Sequence, residues 1–195
     1  MRYNQIPANT FKELMMNAAI LATDFTPATG EIGESGLIGA TSGGVNFTTT
    51  TSYKDFGEDI DNCPKNTMEL KRIESIEVKC SGTFVSINKD LAKRLMASAD
   101  ADSTDTTKLI PRNELKTADF QTIWIIGDYS DKNSEENGGY VAIKLLNALS
   151  TGGFQIQTTD KEKGKFSFEF TGHYSIEAVN KVPYELYVKA GTDAA

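Results

Sequence analysis

The chain has 195 residues, 39% of them hydrophobic, and a formal net charge of −7. That length suits one domain, 1–195, with a substantial core, while the acid excess excludes a broad basic surface for holding nucleic acid. No apolar run approaches the roughly 18 residues of a membrane span and no leader-like pattern opens the chain, so a soluble protein without membrane insertion, made in a cytosol, is expected.

Residues 1–24 read as an N-terminal arm and segment: Met1 to Asn9 is a loose arm, and Thr10 could cap a short helix. Phe11, Leu14, Met15, Ala18, Ala19 and Ala22 would form its stripe, yet Ala18 to Leu21 suits a strand equally well, and the period leaves both open. Thr26 to Gly33 is a turn region and Gly36 to Ala40 a short apolar piece. Thr41, Ser42, Gly43 and Gly44 read as a flexible turn without the GK[ST] of a phosphate loop. Val45, Phe47, Thr49, Thr51 and Tyr53 then alternate with polar residues, a threonine-rich strand.

Asp55 to Leu70 has neither period and is too long for an ordinary connection. It carries Asp55, Glu58, Asp59 and Asp61 beside apolar Phe56, Ile60 and Met68, which predicts a loop that docks on something. Asp55, Asp59 and Asp61 lack the order of a calcium loop and read as a solvated acidic turn. From Arg72 to Val85 alternation is strict: Ile76, Val78, Cys80 and Phe84 on one face, Glu77, Lys79, Ser81 and Thr83 on the other. Such a strand is about 45 Å long, more than twice the usual length, with Gly82 marking a bulge or bend. Asn88 then caps a short helix whose Leu91, Ala92, Leu95, Met96 and Ala99 face inward, with Lys89, Lys93 and Arg94 outward.

Asp100 to Lys108 is a polar loop, and Asn113 caps a helical turn in RNELKTADF. TIWIIG, Thr122 to Gly127, is apolar on both faces and reads as a central buried strand, with Trp124 in the core. After a charged turn at Lys132 to Gly139 comes a strand from Tyr140 to Leu149 with Val141, Ile143 and Leu145 inward, then a hairpin into Phe154 and Ile156. Phe166, Phe168, Phe170 and Tyr174 alternate with Ser167, Glu169, Thr171 and His173; Pro183 opens a last strand with Tyr184, Leu186 and Val188 on one face. Seven or eight strands and one helix predict a mainly β (α+β) fold, a β-sandwich or partial barrel with one flanking α-helix.

Nothing in the chain assembles a catalytic, metal or cofactor site. His173 is the only histidine and reads as a surface residue; no serine sits in a G-x-S-x-G elbow to partner it. Cys63 and Cys80 are expected to remain thiols, Cys80 as a small core hydrophobe. An adhesin or carbohydrate-binding sandwich would want exposed aromatics, whereas Phe166, Phe168 and Phe170 read as core. The wide polar strand faces could simply be wet in a monomer; in a ring of subunits they could line a water-filled channel.

Five segments of the chain together resemble the major tail tube proteins of long, non-contractile-tailed bacteriophages. They are IGATSGGVNF (Ile38 to Phe47), DFGEDIDNCPKNTMELKRIESIEVKCSGTFV (Asp55 to Val85), IPRNEL (Ile110 to Leu115), IGDYSD (Ile126 to Asp131), and NALSTGGFQIQTTDKEKGKFSFEFTGHYSIEAVNKVPYELYVKA (Asn147 to Ala190). The resemblance implies a non-enzymatic virion protein that forms hexameric rings with a continuous luminal β-barrel. Rings would stack on a tape-measure protein between tail terminator and distal tail proteins, and double-stranded DNA would pass through without specific binding. On that reading Asp55, Phe56, Glu58, Asp59, Ile60, Asp61 and Met68 in the 55–70 loop would join ring to ring, and Glu77, Lys79, Ser81 and Thr83 would face the lumen. Tubes of contractile tails and secretion-type injection systems share the architecture and form the alternative.

Overall fold

The computed structural model describes residues 6–34, 36–129 and 138–191. Its organising element is a long antiparallel pair: β4 (Thr41–Asp55) and β5 (Lys71–Phe84) run side by side, as the alternation of both segments requires. The other strands are β1 (Met15–Ala22), β2 (Phe25–Thr26), β3 (Glu31–Ile32), β6 (Ala99–Ala101), β7 (Leu109–Pro111), β8 (Gln121–Tyr129), β9 (Gly139–Ser150), β10 (Phe166–Gly172) and β11 (Tyr184–Lys189), with helix α1 at Lys89–Leu95. Among the described residues seven strands make the main sheet, in the order β1-β8-β9-β10-β5-β4, with β11 also on β9. β9 divides one edge between two partners: Tyr140 to Leu145 pair with β11, and Ala148 to Ser150 with β10. The sheet curls until β1 and β4 pack near one another, but no ladder joins them and the barrel stays open. The mainly β, sandwich-like fold with a flanking helix is therefore the observed one.

The core sits on the concave face. Val78, Cys80 and Phe84 of β5 meet Phe166, Phe168 and Phe170 of β10, together with Leu21, Ile123, Ile125 and Leu145. Burial pushes the Cys80 thiol up to about 12, so it packs as a hydrophobe, and both cysteines are free. Leu91 and Leu95 seat α1 on this cluster, each burial contributing about 1.5–3 kcal/mol. Asn88 caps the helix as expected, its side-chain oxygen accepting from the Leu91 N–H at 2.7 Å. The buried Ser150 hydroxyl donates to the Leu95 carbonyl at 3.0 Å and ties the other end to β9. A second cluster of Ala22, Phe25, Trp124, Ile126 and Ala142 covers the opposite face of β8. This is why TIWIIG is apolar throughout.

Several expectations need correction. Residues 10–23 resolve into a 3-10 turn at Thr10–Lys12 followed by strand β1. Thr41 to Gly44 belong to β4, where Gly43 and Gly44 take φ of 79° and 82° and bulge opposite Thr83. Gly82 itself stays in register: a Cβ there would lie 2.8 Å from the Phe168 ring, so the missing side chain makes room for that ring. Asp100 to Lys108 is not a plain loop, because β6 and β7 pair across it. The turn after Pro111 forms later, at Thr117–Asp119, and its cap is Lys116 rather than Asn113. Phe154 and Ile156 make no strand; one isolated bridge, Gln157 to Lys165, closes that excursion. Val141 and Ile143 are only half-buried; Leu145 is fully buried, and left-handed Asn147 (φ 48°) shifts the alternation so that Ala148 shares its cluster. The first five residues of the arm and residues 130–137, which take in 132–137 of the charged turn, lie outside the described residues.

Val78 is fully buried between β4 and β10, so Val78→Asp places an unpaired carboxylate in the core and lowers unfolding free energy by several kcal/mol. The neighbouring Glu77→Lys, on the wet face, stays within about 0.5 kcal/mol of wild type. Urea denaturation of both variants checks the pair; equal losses would show that the alternation does not set the faces.

Candidate functional site: a hydrophilic sheet face and a projecting ribbon

Register places the four polar residues of β5 in the middle of a three-strand surface. Glu77 pairs with Thr50, Lys79 with Thr48 and Ser81 with Asn46 on the β4 side. On the β10 side Lys79 pairs with Thr171, Ser81 with Glu169 and Thr83 with Ser167. Because side chains alternate, all of these project from the face opposite the Phe166–Phe168–Phe170 core. Lys79 Nζ lies 2.9 Å from Glu77 and 4.0 Å from Glu169, and the bonded Glu77 carboxylate raises its pKa. The Thr151 hydroxyl lies 3.0 Å from Glu169 and 2.7 Å from the Thr171 hydroxyl. Glu77, Lys79 and Glu169 together leave one negative charge on this hydroxyl-rich face.

β10 ends at Gly172, opposite Val78, while β4 and β5 pair onward to Asp55 and Lys71. Beyond that point they form a two-stranded ribbon. At its root the Tyr174 hydroxyl accepts from the Ile76 N–H at 3.2 Å and donates to the Ile76 carbonyl at 3.3 Å, taking the place a further strand residue would hold. Ser52 pairs with Ser75 but Tyr53 pairs with Ile73, so Glu74 is an extra residue on β5. That bulge brings Ile73 onto the face of Ile76 and Val78. The core face of the sheet thus continues past the core into solvent, with Tyr53 57% and Ile73 60% exposed. Simple alternation from Ile76 would put Ile73 on the other side, which is why the sequence reading missed it.

The 55–70 loop closes the ribbon. Asp55 folds it: one carboxylate oxygen accepts from the Gly57 N–H at 2.9 Å and the other from the Asn66 N–H at 2.7 Å. These bonds hold the carboxyl below its ordinary range. Phe56, Ile60 and Met68 stand in water, Met68 at 79% exposure, with the Lys54 ammonium over the Phe56 ring. Glu58, Asp59 and Asp61 are exposed around them. The expected loop residues therefore gather at one end of the ribbon, and the expected polar residues of β5 gather on one sheet face. His173 belongs to neither group; it is half-buried, its Nδ1 3.1 Å from the Asn147 carbonyl and its ring edge-on to Phe120.

A polar cluster escaped the sequence reading because its members are distant in pattern. Arg112 Nη2 donates to both oxygens of Asp119 at 2.7 and 3.0 Å, while its Nε lies 2.9 Å from Asp100 without hydrogen-bond alignment. Lys116 donates to Asp100 at 3.0 Å, and the cluster staples the β6–β7 hairpin to the 112–119 segment. Burial pushes Asp119 up, but the Lys116 backbone N–H and Arg112 outweigh it and its pKa is lowered. Among the described residues no group of three His, Cys, Asp or Glu side chains is placed to hold a metal ion, and no helix is long and apolar enough to cross a membrane.

The folded value of Asp55 lies below its unfolded one, so its hold on the loop is present above the usual carboxylate range and disappears as pH falls through the lowered value. The Gly57 and Asn66 amide resonances should titrate together with a midpoint below that of an exposed aspartate. A midpoint at the ordinary value would mean the two bonds do not organise the loop.

No protein-family model matches the chain. No curated protein matches it either. Among solved structures, a chain described as "Virion of native gene transfer agent (GTA) particle" is similar with a TM-score of 0.42 and 8% identity, over 90% of this chain and 99% of that one. A likeness of that degree carries no functional argument, which must come from the two surfaces just described.

Proposed function

We propose that the chain is a structural subunit of a bacteriophage tail tube of the long, non-contractile kind. It polymerises as stacked hexameric rings around a tape-measure protein, between terminator and distal tail proteins, and the finished tail is a conduit for double-stranded DNA. The observation that carries this reading is one sheet with two surfaces outside its core: a broad hydrophilic face, and a ribbon whose apolar face leaves the core and enters water unsatisfied. A monomer has no use for exposed Tyr53, Phe56, Ile60, Met68 and Ile73 gathered at one end, whereas a polymer buries them. The segments that resemble tail tube proteins include the β5 and β10 parts of these surfaces and the 55–70 loop, within Asp55 to Val85 and Asn147 to Ala190.

In the assembled tube the face of Glu77, Lys79, Ser81 and Thr83 lines the lumen, and the ribbon with the 55–70 loop reaches the next ring. Duplex DNA carries one negative charge per about 1.7 Å of axis, and a lysine-rich wall would hold it by counterion release. Where β10 flanks it, the face has one lysine, Lys79, set beside Glu77 and Glu169, so phosphates there meet hydroxyls and a slight negative excess. Screening over about 8 Å at physiological salt confines the effect to charges at the wall itself. The role is mechanical and electrostatic, with no catalytic step.

Electron microscopy of the concentrated purified protein tests the reading: rings or tubes support it, and dispersed monomers at every concentration remove it. Deleting the middle of the 55–70 loop should leave a folded, soluble subunit that no longer polymerises. Tubes of normal length from that variant would remove the loop from the ring contact. Glu77→Lys should give normal tails whose DNA ejection is slower at low ionic strength than at high. Ejection matching wild type at both would take Glu77 off the channel wall.

A further inference from the structure

The exposed loop leaves open which surface receives it, and charge on the far side of the molecule supplies an answer. DFGEDID, Asp55 to Asp61, has four carboxylates and no cation. Asp55 is engaged within the loop, but among the described residues no cation lies within ion-pair distance of Glu58, Asp59 or Asp61. These three flank the exposed Phe56 and Ile60.

The complementary surface is on α1. A cavity of about 210 Å³ opens between the helix and the 112–121 segment, lined by Lys93, Arg94, Arg112 and Lys116 with Asp90, Asp100 and Asp119. Asp100 and Asp119 are already held by Lys116 and Arg112. Lys93 and Arg94 have no carboxylate within ion-pair distance among the described residues. Arg94 is half-buried as well, and burial holds its guanidinium below its ordinary value with only the more distant Asp90 opposing. A desolvated guanidinium beside a lysine is suited to a carboxylate, with Arg able to engage both oxygens.

The loop and the helix cannot meet within one chain. The loop joins β5 at Lys71 and α1 follows its Phe84 end, so a 14-residue strand about 45 Å long stands between them. A donor patch and a distinct acceptor patch on one subunit make a heterologous contact, which propagates instead of closing on itself. We infer that the acidic loop of one copy, through Glu58, Asp59 and Asp61, docks against Lys93 and Arg94 on α1 of a second copy, joining subunits head to tail. This rests on the tube reading, in which the join repeats from ring to ring.

Two charge-reversed chains test it. One carries Lys93→Glu and Arg94→Glu; the other carries Glu58→Lys, Asp59→Lys and Asp61→Lys. Each is compared with wild type by sedimentation and electron microscopy, with a thermal melt of each to verify folding. Alone, each should assemble only above a critical concentration raised about tenfold or more, since each like-charge juxtaposition opposes docking. Mixed one to one, the reversed loop meets the reversed helix and the native loop the native helix, so assembly should return. Lys93→Gln with Arg94→Gln, a gentler change, should weaken assembly in the same direction if the reversal perturbs the melt. Wild-type-like assembly by folded helix variants, or a mixture no better than its parts, would overturn the docking while leaving the tube intact. A wild-type chain that forms neither rings nor tubes would remove the tube reading itself.

Discussion

The two-residue period of the β4–β5 ladder is the constraint on which the rest depends. Pairing from Val45 with Gly82 to Asp55 with Lys71 fixes one face for Phe47, Cys80 and Val78, and the other for Thr48, Lys79 and Glu77. Once Phe166, Phe168 and Phe170 dock on the first face, the second has no choice but water or another polar surface. A slip by one residue would carry every phenylalanine contact to the wet side. The apolar core and the hydrophilic face are thus a single decision made by register, and the ribbon extends that decision beyond the body of the fold.

A bare two-stranded ribbon is marginal in water, so its local supports carry much of its order. The Tyr174 hydroxyl continues the hydrogen-bonding row where β10 stops, and Asp55 gathers two loop amides at the other end. Between them, the Lys71 ammonium sits over the Tyr53 ring and covers part of the exposed aromatic surface. None of these contacts buries Ile73 or Met68. The ribbon is therefore held in shape without its apolar surface being satisfied, which is the condition of an element pre-organised for a partner.

What was legible in the sequence was what period alone carries. The strand at 72–85, the capped helix after Asn88, the doubly buried TIWIIG and the phenylalanine row all follow from local alternation or spacing. The loop residues and the polar face of β5 were legible too, as groups, since each is contiguous in sequence. Three kinds of feature were not. The Glu74 bulge, which returns Ile73 to the apolar face, depends on how Tyr53 is paired across the ribbon. The Arg112, Asp100, Lys116 and Asp119 cluster needs the β6–β7 hairpin to close before its members meet. The strand at residues 15–22 competed with a helical stripe, and pairing with β8 decided it, a long-range contact overriding a local tie.

The paired glycines of β4 also bear on how a neighbouring chain can add to the sheet. β4 is an edge strand, and an open edge invites any passing strand in any register. At Gly43 and Gly44 the backbone turns out of the pleat, three residues standing opposite Thr83 alone, and the row of donors and acceptors is interrupted there. A strand added to the outer edge can therefore run beside Val45 to Asp55 but cannot slide on past Val45 towards Thr41. The bulge acts as a physical stop, turning a sticky edge into one with a defined origin from which pairing is counted.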